Sequence, residues 1–535
     1  MRSSTKKNLL IASFYAGTMV LGMFLGPRFQ RENENRKNGT FIPFLNSRAE
    51  KVDRVLNIIE ENYVDPVKKD TLQDMAINQI LKKLDPHSAY LPPLEARNFS
   101  DNLDGKYTGI GVEYQTVGDT ILITAVVDKG PAARGGVKPG DFLLAVDGKT
   151  VVGPNNSAER VSRLIKGQRG TSVELRVKRL AEEKRLLVKR DRITVSSIDI
   201  AYVVAEKVGY IKISKFGART EDDFEEALKR LKEKGITSLI LDLRGNGGGY
   251  LNAATALADH FLPDDKLIVY TQGEHEPRTD YYATAEGEFE QGKLVILIDE
   301  NSASASEILA GAVQDLDRGT VIGRRSFGKG LVQEQFNFGD GSALNLTVAR
   351  YYTPSGRSIQ KPYKSGSDKY YAELAERYKS GELNGKHVDS VNDRHKSFKT
   401  TSGKAIYGGG GITPDIYVAL DSTGYNDFYY ALYSKGVMAA FTYSSLVKKY
   451  SAPASLGELI REFKLDDELF SQLLTAARLR GVQVDQKLAQ TARPAIAARL
   501  KALLARYYFG EEAYYRTRHV NDKVISRSLE ILKQP

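Results

Sequence analysis

Apolar and polar positions along the chain change period several times, and each change marks a new kind of element. Residues 9–26 are an uncharged run, with Arg2, Lys6 and Lys7 before it and Arg28 after it. About eighteen residues is the least that spans a bilayer as a helix. Residues 29–46 are polar and mixed in charge and read as a tether. Over residues 47–98, Val52, Val55, Leu56 and Ile59, then Leu72, Met75, Ala76 and Ile80, fall at helical spacing. Leu84-Asp85-Pro86-His87-Ser88 breaks that pattern at Pro86. Residues 99–190 switch to short alternating strands, predicted at 121–127, 142–146 and 172–179, with an amphipathic helix at 157–165. From about residue 193, strands at 208–214, 237–243 and 293–298 alternate with helices at 221–234, 252–261 and 304–316. That alternation predicts a layered α/β core. Residues 361–404 are polar and tyrosine-rich without an apolar period, and read as an inserted or mobile loop. From about Tyr425 the period is helical again, with Leu456, Leu459, Ile460 and Phe463 as one stripe.

The expected organisation follows from these breaks. Residues 1–28 form a membrane anchor or signal segment, 29–46 a tether, 47–98 an N-terminal helical domain and 99–190 a β-domain. An α/β core spans 191–360, interrupted by the 361–404 loop insertion and resumed at 405–420, and a helical C-terminal extension covers 421–535. A chain of 535 residues exceeds a single core, so several modules are the natural expectation. The first apolar run ends Val-Leu-Gly-Met-Phe-Leu-Gly, a poor match to a small-x-small cleavage site, which favours an uncleaved anchor. Positive residues ahead of it keep the short N-tail in the cytoplasm and put the body across the membrane. In a bacterium that is an inner-membrane anchor with a periplasmic or outer-face body. Gly22-x-x-x-Gly26 offers a surface for a second anchor and leaves a homo-oligomer open.

Composition narrows the chemistry. The net charge of +10 is spread along the chain, without a dense basic tract, so no nucleic-acid partner is expected. The absence of cysteine excludes disulfides, Cys-ligated zinc, thiol catalysis and a lipid-modified N-terminal cysteine. In a chain with only six histidines, the pair that stands out is a serine and a lysine. Ser304 lies in Asn301-Ser302-Ala303-Ser304-Ala305-Ser306-Glu307, where a predicted strand passes into a helix. Helix N-terminal amides are unpaired and favour negative charge. A hydroxyl becomes a nucleophile when a neighbour takes its proton, and a lysine does that once burial or nearby positive charge lowers its pKa. Lys329 in Ser326-Phe327-Gly328-Lys329-Gly330 is the candidate base, and Gln333, four residues on, is a candidate to hold its amine. The Ala305 amide would face a developing oxyanion, and Gly247-Gly248-Gly249 offers a second donor. The bland reading is that Ser302, Ser304 and Ser306 only cap the helix; Ser302 is the natural cap, and Ser306 the one that faces inward with Glu307. His87 is a base on chemistry alone, in a segment that reads as a packed turn. Residues 323–329 fit G-x-x-x-x-G-K, but Gly330 replaces the Ser/Thr of a phosphate loop and a strand pattern follows, so no nucleotide is expected.

Two resemblances add to this. The order of elements over residues 99–190, with Tyr107-Thr108-Gly109-Ile110-Gly111-Val112 and Gly130-Pro131-Ala132-Ala133, resembles a PDZ domain of the bacterial protease-associated type. Such a domain takes a peptide C-terminus as an added strand, with loop amides on its carboxylate; matching residue types place that loop at Thr108, Gly109, Ile110, Gly111 and Val112. A wider set of phrases resembles the carboxyl-terminal processing (tail-specific) family of serine proteases. These are Leu84-Asp85-Pro86-His87-Ser88, Asp242-Leu243-Arg244-x-Asn246-x-Gly248-Gly249, Ser302 to Glu307, Phe327-Gly328-Lys329-Gly330-x-Val332-Gln333 and Gly411-Ile412-x-Pro414-Asp415. The likeness covers about residues 48–360 and returns at 408–418, and Gly247 departs from it where a proline is often found.

The resemblance implies a crotonase-like, tail-protease α/β core carrying an inserted PDZ β-domain. It implies Ser304 as nucleophile, Lys329 as general base, Gln333 as its orienting partner, and Ala305 with Gly249 (or Gly248) as oxyanion donors. The implied activity is cleavage of envelope proteins bound by their C-termini, through an acyl-enzyme, with no metal or cofactor. The alternative is a proteolytically inactive PDZ scaffold or adaptor at the membrane.

Overall fold

The computed structural model describes residues 50–153, 157–385, 396–450 and 453–534. The expected anchor and tether lie outside the described residues. Among the described residues no helix is long and apolar enough to cross a membrane. Residues 1–76 and 77–535 form two compact units. In the first, the helix Glu50–Asn62 carries Val52, Val55, Leu56 and Ile59 at the expected spacing. Lys69 Nζ returns to it through a 2.6 Å ion pair with Asp53.

The second unit is built around a six-stranded sheet. Its strands run in the order Ile198–Ala205, Val208–Ile213, Ser238–Asp242, Lys293–Ile298, Thr320–Gly323 and Ile416–Tyr417. The first pair is antiparallel and the others are parallel. A parallel sheet covered on both faces needs apolar residues at successive positions, and Ser238–Asp242 is buried at all of them. Alternate residues serve opposite layers. Leu239, Leu241, Leu294 and Ile296 pack with Phe224, Ala227, Leu228 and Leu231 of the helix Thr220–Lys232, and with Leu257 and Ile308 of the helices Leu251–Asp259 and Ala305–Asp315. Ile240, Val295, Leu297, Tyr202 and Tyr210 face the other way, onto Val524, Ile525 and Leu532 of the helix Lys523–Lys533. The C-terminal region therefore supplies the sheet's second covering layer.

Residues 112–189 form a separate sheet ordered Val112–Val117, Thr120–Val126, Phe142–Val146, Ser172–Arg179 and Glu182–Lys189, with the helix Ala158–Ile165 packed on it. Its Val117 and Leu122 share an apolar cluster with the C-terminal helices Asp427–Ser434, Asp467–Leu479 and Gln486–His519. A third, antiparallel sheet holds Ala89–Leu91, Ala343–Tyr352, Leu267–Gln272 and Thr279–Tyr282, with Leu331–Asn337 also paired on Ala343–Tyr352.

One sequence expectation needs correction. Residues 361–404 are not a structureless loop, because Ser367–Ser380 is a helix and Ser397–Lys399 pairs with Ala405–Tyr407. The helix buries charge in place of an apolar stripe. Glu373 Oε2 accepts from Lys361 Nζ at 2.8 Å, and Arg377 Nε meets Glu382 Oε1 at 3.0 Å. Arg325 Nε lies 2.8 Å from the same Glu382 oxygen. Arg377 also donates to the carbonyls of Arg325 (2.7 Å) and Ser326 (3.2 Å), which ties the helix to the lysine loop.

The approach of the C-terminal region to the residue 112–189 sheet leaves no space at Gly436. Its φ is 64°, and an added Cβ would sit 2.7 Å from Val117 Cγ2 and 3.0 Å from the Thr116 carbonyl. Gly436→Ala is expected to cost about 1–3 kcal/mol through strain and overpacking. Chemical denaturation of the two proteins checks this.

Candidate active site

The candidate residues gather at the C-terminal ends of three adjacent parallel strands, where α/β sheets place their sites. Strand Ser238–Asp242 leads into the glycine loop, Lys293–Ile298 into the serine turn, and Thr320–Gly323 into the lysine loop. Gly323 ends its strand and Leu331–Asn337 is extended, so this glycine–lysine phrase does not open a helix.

Ser304 is the N-cap of the helix Ala305–Asp315 at φ 53°, ψ −114°. A non-glycine residue with positive φ is held there by its surroundings, and the contacts that hold it are visible. The Ala303 amide donates to the Asn246 carbonyl (3.0 Å), as does Ser306 Oγ (2.9 Å). Ser302 is not the cap that the sequence suggests. Its buried hydroxyl donates to the Leu243 carbonyl and accepts from the Asp299 amide, both at 2.9 Å, so it locks the serine turn to the neighbouring strand end. Ser306 faces inward, as expected. Ser304 itself is half-buried.

Glu307 joins the serine and lysine segments. One carboxylate oxygen accepts from the backbone amides of both Ser304 and Lys329, each at 2.9 Å. The other accepts from the Gly328 amide (2.8 Å) and from Ser326 Oγ (2.5 Å). On the far side, the buried Tyr351 hydroxyl lies 3.1 Å from the Ser304 carbonyl oxygen and also contacts the Lys329 carbonyl. The backbones of the two candidate residues are thus clasped twice. No hydrogen bond joins the Ser304 hydroxyl to the Lys329 amine in this structure.

Burial sets the electrostatics. It lowers the Lys329 pKa, against the opposing charges of Glu307 and Asp85. It pushes the Glu307 carboxyl up to about 7, against the pull of its four hydrogen bonds. His87, whose ring stands edge-on to Phe327 and whose Nε2 lies 2.8 Å from the Tyr370 hydroxyl, falls to about 4 through burial and the charge of Lys329. Asp85 fixes that segment by accepting from the amides of His87 (2.7 Å) and Ser88 (2.9 Å). The packed turn read from sequence is therefore also a wall beside the lysine, holding a neutral imidazole. Gln333 does not hold the lysine amine here. Its amide nitrogen donates to Thr347 Oγ1 at 3.3 Å, next to a register shift between Val332 and Gln333.

The glycine loop touches the serine. A Cβ on Gly248 would lie 2.7 Å from Ser304 Cβ and 3.0 Å from the Ala305 nitrogen. The Gly248 amide donates to Asn246 Oδ1 at 2.9 Å in this structure. Gly249 bridges Phe216, whose amide donates to the Gly248 carbonyl (3.0 Å) and whose carbonyl accepts from the Tyr250 amide (2.8 Å). In that pattern the N–H of Gly249 turns away from Phe216.

The Thr108 to Val112 segment behaves as a loop between strands. Thr108 and Gly109 end the strand Lys106–Gly109, Ile110 is buried, and the Ile110 and Gly111 carbonyls accept from the amides of Ala132 (2.8 Å) and Val127 (3.0 Å). Val112–Val117 pairs on one side only among the described residues, and its Tyr114 hydroxyl reaches the Ala158 carbonyl of the facing helix at 2.9 Å.

Glu307 and Tyr351 were not singled out by sequence. Ser304-x-x-Glu307 has the spacing of a capping box, a signal that pointed to it; Tyr351 is one of 29 tyrosines and carried none.

Residues 207–366 match peptidase family S41 and residues 122–179 match a PDZ domain. Residues 12–93 match the activating protease CtpB N-terminal domain, and 428–510 match a family of unknown function, DUF8443. The chain is 34% identical over 311 residues to a probable CtpA-like serine protease of Staphylococcus haemolyticus, covering 58% of this chain and 62% of that one. It is 34% identical over 317 residues to the carboxy-terminal processing protease CtpB of Bacillus subtilis, covering 58% and 65%. The matched region spans a little under two thirds of each relative's length. The solved structure of a photosystem II D1 C-terminal processing protease aligns at 28% identity over 60% of this chain and 92% of its own, with a TM-score of 0.34. The chain contains a peptidase family S41 domain preceded by a PDZ domain. These matched regions are similar to the carboxyl-terminal processing proteases that the motif resemblance implied.

The Glu307 carboxyl generates a stability test. Its native pKa lies above its ordinary value of 4.5, so the native state binds the proton more tightly. The associated stability is present below about pH 4.5 and lost as the pH rises toward 7. Relative to Glu307→Gln, the parent protein is expected to lose on the order of 2 kcal/mol across that window. Urea denaturation of both proteins at a series of pH values measures the difference.

Proposed function

We propose that the protein is a serine endopeptidase in which Ser304 is the nucleophile and Lys329 the general base. The observation that carries this reading is the shared Glu307 oxygen, which holds the Ser304 and Lys329 backbones to one point while burial depresses the lysine pKa. As Ser304 Oγ attacks a peptide carbonyl carbon, its proton passes to the neutral Lys329 amine and the carbonyl oxygen becomes an oxyanion. The amides of Ala305 and Gly249 take that charge. Collapse breaks the peptide C–N bond, Lys329 returns its proton to the leaving amine, and an acyl ester remains on Ser304. Water, deprotonated by the same lysine, then hydrolyses the ester. Side-chain rotation must bring the amine onto the hydroxyl, and Gln333 would help hold it there once a substrate is bound.

The PDZ domain would supply the substrate by its C-terminus. The one-sided strand Val112–Val117 offers an edge for a peptide strand, and the 108–112 loop offers amides for the carboxylate. With the 9–26 segment as an uncleaved anchor, the substrates would be envelope proteins met on the outer side of the inner membrane.

Ser304→Ala and Lys329→Ala are each expected to reduce cleavage of a carboxymethylated, unfolded protein by about ten-thousand-fold or more, without a change in circular dichroism. Lys329→Arg should be equally inactive, because a guanidinium does not give up its proton at working pH. Parent activity should rise with pH along a limb set by a lysine titrating below its ordinary 10.5. Full cleavage by both alanine variants would overturn the dyad, and binding without fragments in the parent would favour the scaffold reading.

A further inference from the structure

The glycine loop is anchored from an unexpected direction. Arg244, one residue before that loop, spreads its guanidinium over two carboxylates. Its Nε and Nη2 donate to Asp242 at 3.0 and 2.6 Å, and its Nη1 donates to Asp522 Oδ2 at 2.9 Å. Asp242 is pinned in turn by the Tyr210 hydroxyl at 2.7 Å. Asp522 lies in the C-terminal region, outside the residues matched to the peptidase family. Its other carboxylate oxygen caps the helix Lys523–Lys533 by accepting from the amides of Val524 (2.9 Å) and Ile525 (3.2 Å). The cap fixes the direction of Asp522, and the helix beneath it is fixed by the apolar sheet face that it covers. A charge-assisted bond from such a base holds a guanidinium in one orientation.

The same region grips the PDZ sheet at its other end. Arg506 Nη2 meets Glu113 Oε2 at 2.9 Å, Gln115 donates to the Tyr433 carbonyl at 3.1 Å, and the Tyr443 hydroxyl donates to the Thr124 carbonyl at 3.2 Å. Residues 427–533 thus run as a strut from the strands that border the peptide edge to the base of the glycine loop.

We propose that Asp522 is a positioning residue for the peptidase site, acting through Arg244 to hold the Gly245 to Gly249 loop, and that the C-terminal helices exist in part to carry it there. The inference rests on the peptidase reading above for its consequence in catalysis, but not for its consequence in loop order.

Asp522→Asn keeps a good helix cap and removes one of the two charges that Arg244 meets, leaving Asp242 in place. It is expected to lower kcat about tenfold with KM unchanged, and Asp522→Glu should recover kcat to within about threefold of the parent. A second readout is independent of activity. In a Ser304→Ala background, hydrogen exchange at the amides of residues 245–249 should speed about tenfold on adding Asp522→Asn, while strands Ser172–Arg179 and Glu182–Lys189 stay unchanged. Parent-like kcat together with parent-like exchange at residues 245–249 would overturn the proposal. So would faster exchange spread over the whole chain, which would mark simple destabilisation. If the parent cleaves nothing, the peptidase reading falls and the exchange arm still decides the role of Asp522.

Discussion

One buried carboxylate organises this protein's candidate chemistry. Glu307 receives four donors from two chain segments, and two of those donors are the backbone amides of the residues expected to react. A carboxylate taken out of water is costly unless its lone pairs are satisfied, so these bonds cannot be lost singly without penalty. The serine turn and the lysine loop therefore move together or not at all. Tyr351 closes the same clasp from the carbonyl side. The strained backbone of Ser304 persists because this network over-determines it.

The rest of the architecture presents that clasp at the C-terminal end of the main sheet. Three parallel strands end side by side, and the loops that follow are laced together through Asn246, Ser302 and Asp299. Behind the lysine loop, a cluster of buried ion pairs among Arg325, Lys361, Glu373, Arg377 and Glu382 takes the place of an apolar core. Desolvated pairs of this kind add little net stability but fix geometry tightly when every partner is met. Directional, satisfied contacts surround the candidate lysine, and its own amine is left under the influence of burial.

How much of this could be read from sequence depended on what each element buries. The strands and helices between residues 208 and 316 were legible because their inward faces are apolar at a regular period, with Phe224, Ala227, Leu228 and Leu231 on the face where they were expected. The helix Ser367–Ser380 was illegible because its inward residues are Tyr370, Glu373 and Arg377, which a hydrophobic pattern reads as surface. Ser304 and Lys329 stood out by the small residues around them. Sequence assigned the cap to Ser302, whereas Ser304 holds that position and Ser302 ties the turn to a strand end, since cap and tether use the same hydroxyl chemistry and differ only in which neighbouring strand is near. Gln333 was placed beside Lys329 by its spacing and by the motif resemblance, and in this structure it lies at the register shift after Val332 and donates to Thr347. The covering role of the helix Lys523–Lys533 had no local signal, because the sheet face that it meets lies some two to three hundred residues earlier in the chain.

That last contact has a consequence for how the molecule comes into being. Tyr202, Tyr210, Ile240, Val295 and Leu297 are synthesised long before Val524, Ile525 and Leu532. An emerging chain therefore carries one bare greasy side on its main sheet until residues 523–533 follow, and nascent surfaces of that sort invite chaperone capture or clumping. Docking of residues 523–533 onto that side is then a late step of folding, made after the strands that it covers have emerged.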